Sequence, residues 1–264
     1  MLSLEGTYAR RAFTPGTGRH LFEQHPTFIE PDPQASVWRY RDFTKFVALI
    51  DTRSLWFSKP TLLGDPWELA YTRANLRRFQ ERLGEVFRDD VLKNYRATLA
   101  SMFVSCWHMS DVESAAMWRL YLSSLEGVAV QSSWSDLTAS IGQTRDPVSG
   151  GLVRYIDFEV DDTNDATNMF FPTTTKRLSF AYEQEVRLVT WWRPDRTRGV
   201  PDYEQIPQQP GIMVPIDIDR AIHRVVLCPG SSAWFKDLVR RVAARYEFTI
   251  PIENSSMETE PTPL

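Results

Sequence analysis

The segment Tyr182-Glu183-Gln184-Glu185-Val186-Arg187-Leu188 concentrates the side chains of this chain that could do chemistry. Its pattern predicts a β-strand, on which side chains alternate between faces. Glu183, Glu185 and Arg187 would then line one face, and Tyr182, Val186 and Leu188 the other. Two neighbouring carboxylates raise one another's pKa, and a nearby guanidinium lowers it. Such a row is either a site or a solvated strand face whose Glu–Arg pair is worth under about 1 kcal/mol.

Other chemistries find little footing. There is no GxGxxG, no GxxxxGK[ST], no GxSxG and no HExxH, which removes support for Rossmann, P-loop, α/β-hydrolase and zinc-protease readings. Asp157-x-Glu159 and Glu183-x-Glu185 supply carboxylates, but no lysine follows either pair, as a two-metal nuclease would want. His20, His25, His108 and His223 make no ligand spacing, so no metal is expected. Cys106 and Cys228 lie in apolar runs and read as buried free thiols of a reducing compartment. With no leader-like N-terminus and no apolar run of about 20 residues, the expected location is cytoplasmic, without a membrane partner. A net charge of −4 offers no general attraction to nucleic acid. Nine tryptophans are an unusual number; most read as core, and some could wall a planar ligand.

The elements that must position these residues alternate along a 264-residue chain of ordinary globular composition, 42% apolar and 24% charged. Residues 1–35, with four prolines, predict an irregular arm; 36–253 a single domain; 254–264 a polar, disordered tail. Strands are expected at Val37–Arg41, Ser54–Ser58, Met102–Trp107, Val128–Ser132, Leu152–Val160, Tyr182–Trp192, Ile212–Ile218, His223–Leu227 and Phe248–Ile252. Phe43, Phe46, Val47 and Ile50 make a helical stripe. Asp65-Pro66-Trp67-Glu68 reads as a capped start of a helical region reaching about residue 99, and Ser110–Glu113 as a capping box for a helix through Leu125 that Gly127 stops. Trp134–Ile141 is a short helix, Asp146–Gly151 a turn, Thr163–Ser179 a mixed segment, Arg193–Pro210 a loop and Trp234–Tyr246 an amphipathic helix. Helices weighted to the first half and strands to the second predict an α+β fold with a mixed, mostly antiparallel sheet.

Several of these pieces resemble one bacterial family. Trp38-Arg39-Tyr40-Arg41, Leu55-Trp56-Phe57-Ser58-Lys59-Pro60, Gly64-Asp65-Pro66-Trp67-Glu68, Val104-Ser105-Cys106-Trp107, Met117-Trp118-Arg119-Leu120-Tyr121 with Gly127, and Tyr182–Leu188 are similar to domain-of-unknown-function family 2971, over roughly residues 37–192. Where that family has an Asn before its Asp-Pro, this chain has Gly64. A looser resemblance is to the ADP-ribosyltransferase-like fold, which sets a basic residue on an early strand, a Ser or Tyr on a second, and Glu-x-Glu on a later one. That resemblance implies an NAD-dependent ADP-ribosyltransferase or NAD glycohydrolase, a toxin or antiviral-defence effector. NAD would be the substrate, Glu185 the catalytic carboxylate and Glu183 its modifier. Arg39 or Arg41, Ser58, Trp56 and Tyr121 would hold NAD, and Arg187 would be structural. The acceptor would be a protein or nucleic acid, and an immunity protein is a possible partner. The alternative is a non-catalytic ligand- or protein-binding module. On the residues alone, Arg39 and Arg41 read as surface residues of an edge strand, Ser58 as a strand end, and Trp118 and Tyr121 as a core stripe.

Overall fold

In the computed structural model, residues 22–84, 96–163, 168, 170–192, 196–197, 200–201 and 206–259 are described. Strand β1 (Ser36–Asp42) leads into helix α1 (Phe43–Thr52), which buries Phe46, Leu49 and Ile50, and the chain returns as β2 (Ser54–Ser58). Helix α2 (Arg73–Leu83), β3 (Met102–Met109), α3 (Ala115–Tyr121), β4 (Gly127–Ser133) and α4 (Trp134–Ala139) follow. Then come β5 (Val148–Leu152), β6 (Arg154–Ile156), β7 (Thr175–Arg177) and β8 (Glu185–Trp191). The last part carries the short β9 (Arg196–Thr197) and β10 (Val200–Pro201), β11 (Gly211–Pro215), α5 (Ile218–Ala221), β12 (Arg224–Leu227), α6 (Ala233–Arg245) and β13 (Ile252–Asn254). The fold class is α+β, built on one nine-stranded, mostly antiparallel sheet.

The sheet forks at β3. One edge of β3 pairs with β8 from Met102↔Trp191 to His108↔Glu185, and β8 pairs in turn with β5. The other edge is shared. Near its start β3 meets β2 at Ser58↔Val104, and near its end it meets β1 at Trp38↔His108 and Val37↔Met109. Beyond these contacts β2 turns to β11, while β1 turns to β4, β12 and β13. Helix α1 connects the two limbs of the fork. The main core joins Leu55, Phe57, Phe103, Trp107, Val128, Val130, Val186 and Leu188 from one face of the sheet to α1, α4 and α6. The opposite face carries a smaller core of Trp38, Tyr40, Ala129 and Val226 under Met117 and Trp118 of α3.

Several expected elements differ. Asp65 Oδ1 accepts from the Trp67 amide but caps only a turn, because Leu69 takes a left-handed φ of 67°. Helix α2 starts later, capped by Thr72, and the helical continuation expected across 85–95 lies outside the described residues. Ser114 rather than Ser110 caps α3, which ends at Tyr121 instead of Leu125. The expected turn at Asp146–Gly151 is largely strand β5. Its glycines permit close approach, for a Cβ on Gly150 would stand 2.3 Å from Arg187 O and one on Gly151 2.4 Å from Ile29 O. The strand expected over Leu152–Val160 shrinks to β6, and Thr163–Ser179 contributes a 3₁₀ turn (Phe171–Thr174) and β7. The closing strand is β13, parallel to β12, not Phe248–Ile252. The tail is ordered through Thr259: a turn at Ser256–Glu258 follows β13, and Glu258 pairs with Lys236 at 2.5 Å. Residues 260–264 lie outside the described residues. Of the arm, residues 22–29 run along the sheet edge, with Phe22 bridging Val148, Ile29 bridging Leu152, and Phe28 buried. This covers backbone groups that β5 would otherwise expose.

Candidate functional site

Glu183 and Glu185 meet, but not on one strand. A 3₁₀ turn (Leu178–Glu183) ends at Gln184, whose left-handed φ of 40° reorients the chain so that β8 begins only at Glu185. The expected strand over Tyr182–Trp192 is thereby shortened, and Glu183 reaches the cluster from the turn. From β8, Glu185 and Arg187 project to the face that carries His108 and Cys106, their opposite numbers on β3. Lys176 arrives from β7 and Glu68 from the turn after Asp65. All five charged side chains are buried, none more than 8% exposed.

The geometry is dense. Arg187 Nε donates to Glu185 Oε1 at 2.7 Å, its Nη2 to Glu185 Oε2 at 3.0 Å and Glu68 Oε2 at 2.8 Å, and its Nη1 to Thr173 O at 3.1 Å. Lys176 Nζ lies 2.5 Å from Glu183 Oε2, 3.3 Å from Glu185 Oε2 and 3.1 Å from Glu68 Oε1, the last without hydrogen-bond geometry. The Tyr155 hydroxyl accepts from the Glu185 amide at 2.7 Å, and His108 Nδ1 is 2.6 Å from Glu183 O. Three carboxylates against two cations leave one negative charge in excess when all are ionised.

The two glutamates are pushed apart in acidity. Burial raises Glu185, but Arg187, Lys176 and the Cys106 thiol outweigh it and hold the carboxyl at about 2. Burial also raises Glu183, and there the Lys176 contact does not offset it, with Glu185 and Glu68 adding to the rise. Burial, then the Glu183 and Glu185 charges, push the Tyr121 phenol upward; the ring itself is 43% exposed. Divergent pKa values in one group of carboxyls occur at acid–base sites and also in structural ion-pair networks.

The remaining candidates divide between the faces of the sheet. Trp56, 37% exposed, and Ser58, half-buried, alternate onto the face of Cys106 and Glu185. Arg39 and Arg41 alternate onto the opposite face, that of Ser105 and Trp107. Arg39 spans the fork: Nη1 donates to Ser105 Oγ at 2.7 Å and Nη2 to Trp56 O at 3.1 Å. Neither arginine is fully exposed, and β1 is an interior strand rather than a sheet edge. Glu68, Lys176, Tyr155 and Cys106 belong to the cluster and were not expected there. Lys176 precedes the glutamates, where the search for a following lysine misses it; its available signal was a basic residue directly after the run Phe170–Thr175. Arg187 is the hub of the cluster.

Comparison with protein-family models, curated proteins and solved structures returns no match. Function therefore rests on the geometry. Among the described residues no group of His, Cys, Asp and Glu is arranged to hold a metal ion, and no helix is long and apolar enough to cross a membrane. The arrangement gathers three carboxylates and two cations on the sheet face that carries Trp56 and Ser58.

Proposed function

We propose that this chain is an NAD-consuming enzyme of the ADP-ribosyltransferase or NAD-glycohydrolase kind, with Glu183 as the acting carboxylate. The observation that carries this reading is the buried cluster of Glu68, Glu183 and Glu185 against Lys176 and Arg187, on the sheet face that also carries Trp56 and Ser58. Cleaving the nicotinamide–ribose bond sends its electron pair to the nicotinamide nitrogen and leaves an oxocarbenium-like ribose. A carboxylate facing that charge stabilises the transition state more than the ground state. Tyr121, with Trp56 on the same face as Glu185, supplies aromatic surface for the nicotinamide, and Ser58 a hydroxyl for the ribose. Water or a nucleophile of a protein or nucleic-acid acceptor then bonds to the ribose carbon and gives up its proton, which Glu183 can take. Glu185 is the positioning residue here, a change from the role the sequence implied. A cytoplasmic setting, a toxin or antiviral-defence role and a neutralising partner fit such a reaction.

A second reading, a binding module without catalysis, is favoured by the way Arg187 and Lys176 occupy both Glu185 oxygens. Nicotinamide release from NAD by the purified chain separates the two. Wild type is expected to release it, and Glu183→Gln to be slower by about 100-fold or more. Thermal stabilisation by NAD without release indicates the module. Equal release by wild type and Glu183→Gln sinks the assignment of Glu183.

A further inference from the structure

Gln184, the residue between the two glutamates, sits at φ 40° and ψ 53°. This is the left-handed region, where the Cβ of an L residue crowds the following carbonyl. A non-glycine residue stays there when its surroundings over-determine the backbone. At Gln184 they do. The Glu183 carbonyl accepts from His108 Nδ1 at 2.6 Å, and the Gln184 carbonyl from the Met109 amide at 2.9 Å. The Gln184 amide donates to Ala181 O at 3.2 Å, and the Glu185 amide to the Tyr155 hydroxyl at 2.7 Å. The Glu185 carbonyl accepts from the Val153 amide at 2.9 Å. Two of these partners are side chains, His108 near the end of β3 and Tyr155 in β6.

The His108 ring is well placed to act as a fixed donor. It is 8% exposed, stands opposite Glu185 in the β3–β8 pairing, and lies 6.4 Å from the Tyr40 ring. A carbonyl oxygen can only accept, so Nδ1 carries the proton. Burial holds the imidazole below its ordinary pKa, against the opposing pull of the Glu183 carbonyl, so at neutral pH the ring is uncharged. Tyr155 is the cross-strand partner of Lys176. The residue that holds the Glu185 amide therefore also adjoins the lysine that both glutamates share, at 2.5 Å from Glu183 Oε2 and 3.3 Å from Glu185 Oε2. We propose that His108 and Tyr155 are positioning residues for Glu183, clamping the backbone at Gln184 so that the Glu183 carboxyl stands on Lys176 beside Glu185. A small misplacement of an acting group is costly to a reaction, and a relaxed Gln184 would carry Glu183 away from the lysine. The consequence for catalysis rests on the NAD reading; the placement of Glu183 does not.

The test therefore has two readouts on the whole chain. The first is NMR titration of glutamate carboxyl carbons, with the Glu183 signal assigned by its loss in Glu183→Gln. The charges facing Glu183, which are Lys176 from β7, Glu185 from β8 and Glu68 from the turn after Asp65, are the same in every variant compared. His108→Leu removes the donor, and the Glu183 midpoint should fall toward that of an ordinary glutamate as the carboxyl leaves its buried place. His108→Asn should keep the wild-type midpoint, since the asparagine amide nitrogen is as many bonds from Cα as Nδ1 is. Tyr155→Phe removes one oxygen and should lower the Glu183 midpoint too. Glu185, held by Arg187 on β8, should stay low throughout, whereas a general loosening of the fold would move both glutamates. The second readout is nicotinamide release. In His108→Leu kcat should fall by about 10- to 100-fold with KM changed by less than about twofold, and His108→Asn should restore it. A wild type that releases no nicotinamide sinks the NAD reading and leaves the titration to decide the clamp. The clamp is overturned by a Glu183 midpoint unchanged in His108→Leu, by His108→Asn behaving as His108→Leu does, or by Glu183 and Glu185 shifting together. Should His108→Leu fail to fold, Tyr155→Phe decides: a lowered Glu183 midpoint supports the clamp and a wild-type one overturns it.

Discussion

Two carboxyls of the same cluster are set to respond to pH in opposite directions. Glu185 has its carboxyl lowered to about 2 in the folded chain from an ordinary value of 4.5. Its stabilisation is therefore complete above pH 4.5 and is lost as pH falls toward 2, by about 3 kcal/mol. Urea unfolding across that window should show the loss in wild type and a flatter profile in Glu185→Gln. At neutral pH that variant should be less stable by about 3–5 kcal/mol, since Arg187 and Lys176 lose their shared partner. Parallel pH profiles would contradict the assignment. Glu183 is raised, so its contribution is present at low pH and lost as pH rises through its folded value. Glu183→Gln should accordingly match or exceed wild-type stability near pH 7, which makes it the cleaner probe of activity. The Glu-x-Glu pair could be read from the sequence as a close pair of carboxylates. Its neutralising partners could not, because Glu68 and Lys176 approach from segments whose local patterns describe only a cap and a mixed stretch.

Among the elements, periodicity located β1, α1, β2, β3, β4, α4, β8 and α6 to within a few residues, because each has a buried stripe of its own. It failed where tertiary contact decides the backbone. The pair Gly150-Gly151 reads locally as a turn, yet it is the place where β5 presses against Arg187 O and Ile29 O. Gly150→Ala should cost about 1–3 kcal/mol by forcing the β5 and β8 backbones apart at Arg187 O. Amide exchange should quicken first in β5 and its neighbour β8; uniform protection with an unchanged Tm would show that the contact yields easily. The capping box expected at Ser110–Glu113 failed for a related reason. Glu113 turns away from its own helix start to accept from Trp118 Nε1, Ser255 Oγ, and the amide and hydroxyl of Ser256.

At the scale of the molecule, Glu113 joins the C-terminal segment to the helix that carries Tyr121. Its acidity is enhanced: burial opposes ionisation, and the bonds from Ser255 and Ser256 outweigh it. Glu113→Ala should destabilise the chain by about 2–4 kcal/mol and open the segment after Pro251 to proteolysis. Cleavage no faster than in wild type would show that β13 alone holds it. A tail of this composition predicts disorder because none of the partners that order it is local: Glu113 lies 142 residues before Ser255, and Lys236 22 residues before Glu258. The fork was equally invisible, since a strand that shares one edge between two neighbours has the same alternation as any other. It has a consequence during synthesis. Strand β3 ends at Met109, and its full-length partner β8 starts at Glu185, on the order of 75 residues and about 4–15 seconds of translation later. Throughout that interval β1, β2 and β4 can assemble while an apolar edge of β3 stays open to other chains. The yield of native protein should thus depend on how fast the ribosome delivers the second half, and slowing translation between β3 and β8 should divert more of the chain into aggregates.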